Sequence, residues 1–178
     1  MELLNPVNAL NSLQQFLNQG GPVLLAIMVL AFFLWAFIFE RLAYYQVAHK
    51  PMLRRLRGEW TERSDKSSWR AQAIRDELVS QVKLNSSQNV DIIKMMVALA
   101  PLLGLLGTVT GMIEVFDKMA LSGSSNARDM AGGIFKATIP TMAGMTVALS
   151  GMFFPSFFER KSRSETAKFD DLLGGADA

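Results

Sequence analysis

Residues 95–113 carry no charged side chain and are about as long as an α-helix must be to cross the roughly 30 Å of bilayer hydrocarbon. In lipid a lone segment must satisfy its own backbone polar groups, so the stretch is expected to be a membrane helix. Within it runs Ala100-Pro101-Leu102-Leu103-Gly104-Leu105-Leu106-Gly107-Thr108-Val109-Thr110-Gly111. Gly104, Thr108 and Gly111 stand at i, i+4 and i+7, and Gly107 with Gly111 is a small-xxx-small pair, so one side has almost no bulk. Such a side admits another helix at close range. The threonine hydroxyls can bond carbonyls three or four residues back, or line a wet seam between helices. Packing alone and a wet seam are both open readings of these residues.

Half of the 178 residues are hydrophobic, and they cluster in blocks too long for an ordinary soluble domain. The blocks are residues 22–39, 95–113 and 133–158, the last interrupted by Lys136, Pro140 and Pro155. The first block starts late and has no basic region before it. It runs into Glu40-Arg41 without a small-residue cleavage pattern, so it is expected to stay as an anchor. The chain has no cysteine, which excludes disulfides, thiolate metal sites and cysteine nucleophiles. A formal charge of +2 gives no reason to expect a nucleic-acid partner.

The placement of Lys and Arg says more than their sum. Residues 1–39 contain none, residues 40–94 eleven, residues 95–132 two and the tail after Phe158 four, with Lys136 completing the eighteen. By the positive-inside rule the middle segment and the C-terminus are cytoplasmic, and the N-terminus faces out. The expected architecture is all-α and polytopic, with three transmembrane helices, N-out and C-in. Its parts are an outer amphipathic helix (1–20), a first span (21–40), a cytoplasmic helical segment (41–90), a second span (91–116), an outer loop (117–132), a third span (133–158) and a cytoplasmic tail (159–178).

Leu3, Val7, Leu10, Leu13 and Leu17 recur near helical spacing among Asn and Gln, as in a helix lying at the outer interface. Gly20-Gly21-Pro22 ends that helix and opens the first span. The span is bulky and has no glycine after Gly21, which suits a lipid-facing outer helix, with Trp35, Tyr44 and Tyr45 toward the inner interface. Beyond it, His49-Lys50-Pro51 is expected to interrupt the helix, and Ser64-Asp65-Lys66-Ser67-Ser68 to form a capping turn. Leu53, Leu56 and Trp60, then Ala71, Ile74, Leu78 and Val82, make two apolar stripes. Fifty residues bury little core alone, so these stripes should pack on neighbouring subunits or on extensions of the spans. Arg54, Arg55 and Arg57 form a solvated basic face, with attraction to membrane lipid as a second use. Asn85-Ser86-Ser87-Gln88-Asn89 reads as a loop, Ser122-Gly123-Ser124-Ser125-Asn126 as a flexible connector and residues 174–178 as frayed.

The third span repeats the device of the second. Thr141, Gly144, Ala148 and Gly151 stand at i, i+3, i+7 and i+10, with Thr138 one turn earlier and Pro140 expected to kink the helix. Spans two and three should therefore meet over small faces bearing Gly104, Gly107, Gly111, Gly144 and Ala148. The first span would then cover them from lipid.

Catalytic chemistry is missing. The sole histidine, His49, is far in sequence from any intramembrane serine, and there is no phosphate loop and no metal-ligand cluster. Neither an enzyme nor a cofactor is expected. A proton path usually needs a titrating carboxylate, and the spans contain threonines but no buried Asp or Glu. Glu114 and Asp117 lie where the second helix leaves the membrane. A carboxylate lent by a partner helix held against Thr108 and Thr141 would complete a path. Lys136, one turn inside the third span, either snorkels to the outer interface, pairing with Glu114 or Asp129, or tunes the path's potential.

Pro101-Leu-Leu-Gly104-Leu-Leu-Gly107-Thr108-Val-Thr-Gly111, followed by Gly133-Ile-Phe-Lys-Ala-Thr-Ile-Pro-Thr141-Met-Ala-Gly144, resembles the proton-channel domain shared by ExbB, TolQ and MotA. The short chain and its layout look most like ExbB. The resemblance implies a homo-oligomeric ring in the bacterial inner membrane, a pentamer in the family, around the single-span helices of a dimeric ExbD-like partner. That partner supplies the titrating aspartate, and the complex couples inward proton flow to a TonB-like protein that opens outer-membrane receptors for iron chelates. It also implies that Thr108 and Thr141 are pore threonines. Many relatives carry glutamate where this chain has Lys136, which places the acid on the partner. Two alternatives stand beside this reading: a TolQ-like subunit maintaining the envelope, and a passive membrane scaffold in which the threonines and glycines only pack. The orientation is checked by a reporter fused after Ala178, which is expected to be active on the cytoplasmic side only; activity on the outer side would overturn it.

Overall fold

The computed structural model describes the backbone of residues 6–66, 68–122 and 127–174 and the side chains of residues 20–66, 68–121 and 130–174. Among these residues the chain is almost entirely helical, without strands. The helices are α1 (Pro6–Ala43), α2 (His49–Thr61), α3 (Trp69–Ser87), α4 (Val90–Ser122), α5 (Ala127–Gly151) and α6 (Phe153–Gly174). Three helical stretches, Gly20–Thr61, Trp69–Leu121 and Met130–Gly174, are long and apolar enough to cross a membrane. The amphipathic pattern of residues 1–19, the connector 123–126 and the end 175–178 lie outside the described residues or side chains.

The residues group into two compact units, Met1–Leu34 with Met95–Gly151 and Trp35–Lys94 with Met152–Ala178. In the first, α1 changes course at Gly21, whose φ of 64° and ψ of −164° belong to a region that side chains other than glycine's avoid. Pro22 then opens the next helical run with a φ already suited to it. Leu24, Ile27 and Leu34 turn inward, while Leu25, Val29, Phe32 and Phe33 stay exposed. On α4 and α5 the pattern inverts that of a soluble helix. Ala100, Gly104, Gly107, Ala137 and Gly144 are buried, and Leu102, Leu105, Val109, Phe135, Met142 and Leu149 are exposed. Water would penalise so much bare apolar surface, whereas lipid or a neighbouring helix accepts it.

The second unit has a conventional apolar core. Leu56 and Trp60 of α2, Ala71, Leu78 and Val82 of α3 and Phe169 and Leu173 of α6 form one buried cluster. Of the two coverings expected for the apolar stripes, the extension of the third span is the one seen here: α6 carries its amphipathic face onto them. Arg75 pins the same contact by donating to Asp170 Oδ1 at 2.8 Å and to the Asp170 carbonyl at 3.2 Å. Ser68 caps α3, its hydroxyl accepting from the Ala71 N–H at 3.2 Å.

Two local expectations are corrected. His49-Lys50-Pro51 does not interrupt the helix. A single π turn, Tyr44–Ala48, precedes it, with the His49 N–H donating to the Tyr44 carbonyl five residues back. Widening the turn there makes room for the Pro51 ring, which lacks an N–H and would crowd the carbonyl of the preceding turn. The loop at 85–89 shrinks to Gln88 and Asn89, because Asn85 satisfies its amide on the Gln81 carbonyl at 2.8 Å and stays helical. Asn89 makes the turn with a φ of 61°, a value asparagine tolerates better than most residues, and its carbonyl accepts the Ile93 N–H at 3.1 Å. Between α5 and α6 the chain makes a turn at Met152, since Pro155 cannot donate to the Gly151 carbonyl.

Trp60 is 1% exposed and Trp69 74%. Trp60→Ala should cost about 3–5 kcal/mol and Trp69→Ala no more than about 0.5 kcal/mol. Amide hydrogen exchange across α3 and α6 checks this, with faster exchange expected in the first variant alone.

Candidate functional site

Small residues set the approach of α4 to α5 in the first unit. A Cβ added at Gly144 would lie 2.4 Å from the Ala100 carbonyl oxygen, and one at Gly104 2.9 Å from Thr141 Cα. One at Gly111 would lie 2.7 Å from Ala137 Cβ, and one at Gly107 2.3 Å from Pro140 Cβ. Backbone meets backbone at Gly144 and Gly104, and backbone meets the Pro140 ring and the Ala137 methyl at Gly107 and Gly111, so an added side chain would have to push the helices apart. Pro140 is part of it: α5 runs through the proline as one helix, and the ring rests against Gly107. Ala148, half-buried, continues the same face of α5.

Among the described residues one polar contact crosses that line. The Thr141 hydroxyl donates to the Gly104 carbonyl at 2.8 Å. In the α-helix that carbonyl also takes the Thr108 N–H, so its two lone pairs are divided between the two helices. The other threonines turn to their own helices. Thr108 donates to the Leu105 carbonyl at 2.7 Å and Thr138 to that of Phe135 at 2.7 Å. Thr110 donates to the carbonyls of Leu106 and Gly107 at 3.0 and 3.2 Å. Each hydroxyl thus spends its hydrogen on a carbonyl and keeps its oxygen lone pairs for a donor from outside. Thr108 is half-buried and Thr138 exposed.

Beside the same contact, at Gly107, Gly111 and Pro140, lies a cleft of about 250 Å³ walled by Gly20 to Val23 of α1. Glu114 and Lys136 both line it, without an ion pair between them, and Thr110 and Lys118 join them. The side chain of Asp129 lies outside the described residues. Thr110 is a lining residue that sequence reading passed over; its signal was its spacing, i to i+4, from Glu114. Among the described residues, no group of three or more His, Cys, Asp or Glu could hold a metal ion.

The second unit holds buried and half-buried polar groups, of which sequence reading gave Arg41 no role. Arg41 is 1% exposed, donates to the Asn85 carbonyl at 2.9 Å and to Glu40 at 3.0 Å, and stacks over Tyr44 at 4.8 Å. Its only signal was its place as the first basic residue after an apolar block. The Tyr45 hydroxyl donates to the Ser86 carbonyl at 2.9 Å. His49 is buried with Nε2 3.3 Å from Glu165 Oε2. Burial pushes the Glu165 carboxyl up, but hydrogen bonds from Lys168 and His49 outweigh it and hold the group below its ordinary value.

A family model described as the MotA/TolQ/ExbB proton channel family matches residues 41–171. Over 61 residues the chain is 49% identical to the putative biopolymer transport protein ExbB-like 1 of Synechocystis, which covers 33% of this chain and 24% of that protein. Over 73 residues it is 40% identical to the biopolymer transport protein ExbB of Xanthomonas campestris, covering 41% of this chain and 29% of that one. Both matches thus span under a third of the relative's length. A longer match is to the putative biopolymer transport protein ExbB-like 1 of Helicobacter pylori, 24% identical over 170 residues, 85% of this chain and 89% of that protein.

The seam makes opposite predictions for two glycines of one helix. Gly144→Ala should lower the thermal unfolding temperature of the detergent-purified protein. Gly132→Ala, where a Cβ meets nothing within 4 Å, should leave it unchanged or raise stability by about 0.5–1 kcal/mol. Equal effects would overturn the close-contact account.

Proposed function

Because the chain belongs to the MotA/TolQ/ExbB proton channel family, we propose that it is an ExbB-like stator subunit of the bacterial inner membrane. With an ExbD-like single-span partner it uses the proton-motive force to energise TonB-dependent transport across the outer membrane. The oligomer is a ring of identical chains, N-out and C-in, enclosing the partner's helices. The names of the relatives, biopolymer transport protein ExbB in Xanthomonas and in Helicobacter, support the assignment.

The observation that carries it is the glycine-lined contact of α4 with α5, bridged by the Thr141 hydroxyl. Hydroxyls whose hydrogens are spent on carbonyls offer oxygens that accept a proton donor but do not themselves titrate. Between Lys94 and Glu114, and again between Lys136 and Glu159, the sequence has no carboxylate. The acid therefore comes from the partner, and Thr108, Thr141 and Thr138 orient it and the waters around it. Lys136 and Glu114, facing the cleft by Gly21, modulate the local potential where protons enter.

Thr108→Val and Thr141→Val keep side-chain shape and remove the hydroxyl. Losing the bond to Gly104 costs only about 1 kcal/mol, so assembly should persist in both. Uptake of a TonB-dependent nutrient should be abolished, while Thr→Ser retains it. Normal uptake in both valine variants would sink the proposal and favour a passive scaffold. Loss of the protein that left uptake intact but made the outer membrane leaky would point to the TolQ-like role.

A further inference from the structure

Between α2 and α6 of the second unit runs a groove of about 200 Å³. Leu53, Phe169 and Leu172 give it an apolar lining, and the exposed Arg54, Arg57 and Lys168 a basic one. Its single carboxylate, Glu165, is already engaged by His49 and Lys168. Among the described residues Arg54 and Arg57 enter no ion pair. Leu172 is 49% exposed, an apolar side chain that water meets in the unit built on burial.

The opposite charge stands on α3. Ala73, Asp76, Glu77 and Ser80, at i, i+3, i+4 and i+7, form one exposed strip. Neither carboxylate enters an ion pair among the described residues, and Glu77 takes only an amide proton of Gln81, at 3.3 Å. Ala73 and Ser80 are small, so the strip can lie close on other helices. Strip and groove are level. His49 meets Glu165, and the chain of α2 then runs beside α6 in the same direction, Arg57 reaching the groove with Leu172. Five residues on from each member of that pair, Arg54 comes level with Asp170, the residue that Arg75 of α3 grips. Asp76 directly follows Arg75. The two features nevertheless face apart: the groove takes residues 165, 168, 169 and 172 of α6, α3 lies along residues 163, 166 and 170, and no α3 residue lines the groove.

A patch and its complement at equal height on different flanks suit a head-to-tail contact, which closes into a ring by rotation. Building on the ring of identical chains proposed above, we propose that the α3 strip of one copy lies in the α2–α6 groove of the next copy, with Asp76 and Glu77 against Arg54 and Arg57. The contact withdraws Leu53 and Leu172 from water, and the opposite charges fix the register and decide which flank meets which. The occupant of the groove is thus a second copy of this chain.

The chain has no cysteine, so Arg54→Cys/Asp76→Cys introduces the only two, both at exposed positions. Treated in native membranes with a short bismaleimide, the full-length variant should give a ladder of linked multimers on a denaturing gel. Adding Arg57→Glu alone, or Glu77→Arg alone, should cut the linked fraction about fivefold at low ionic strength, and adding both should restore it. Links confined to single chains, no links, or a ladder indifferent to the reversals would overturn the contact; so would a loss in Arg57→Glu that Glu77→Arg does not repair, which would put a lipid headgroup in the groove. Native mass spectrometry of the unmodified protein reads the ring separately. An oligomer without the ladder rejects the contact and leaves the ring standing, whereas a monomer rejects both.

Discussion

Everything in the first unit depends on how closely α4 and α5 approach. At Gly144 and Gly104 the neighbours are a carbonyl oxygen and a Cα, neither of which can rotate aside as a side chain would. That distance decides the rest. It lets Thr141 reach a carbonyl of the other helix, and it turns the bulky residues of both helices outward. In a membrane the driving force for such a contact is close packing, because lipid solvates leucine as well as another helix does. Small residues inside and large ones outside are therefore one arrangement seen from its two sides.

The second unit obeys the opposite rule. Trp60, Phe169, Leu173 and their neighbours are buried because water would otherwise meet them, and they come from three helices that are separate in sequence. Three of its polar side chains find partners across the unit: Arg41 with a carbonyl and a carboxylate, Tyr45 with a carbonyl, His49 with Glu165. One chain thus uses two folding chemistries, and α1 and α4 each supply residues to both units.

Much of this could be read from the residues. Charge-free length announced the membrane helices, and the spacing of Leu56, Trp60, Leu78 and Val82 announced stripes in need of a cover. What could not be read was which of the two expected covers takes them: the α6 stripe of Phe169 and Leu173 begins beyond a proline and several charges, so it reads as a tail. The π turn ahead of Pro51 was hidden because proline is as common a helix end as a helix accommodation. Neither the Thr141 bond to Gly104 nor the burial of Arg41 follows from periodicity, since both depend on atoms more than thirty residues away.

The π turn at Tyr44–Ala48 also bears on phase. An α-helix advances about 100° per residue, so adding or removing one residue ordinarily rotates everything beyond it off its proper face. A π turn absorbs one surplus residue within a single widened loop of backbone, and the helix after it continues as though the surplus were absent. Leu56 and Trp60 therefore keep their azimuth although the chain leading to them is one residue longer than a regular helix requires. Chain length and facing direction are uncoupled at this point, where the apolar helix of the first span becomes the amphipathic helix that follows.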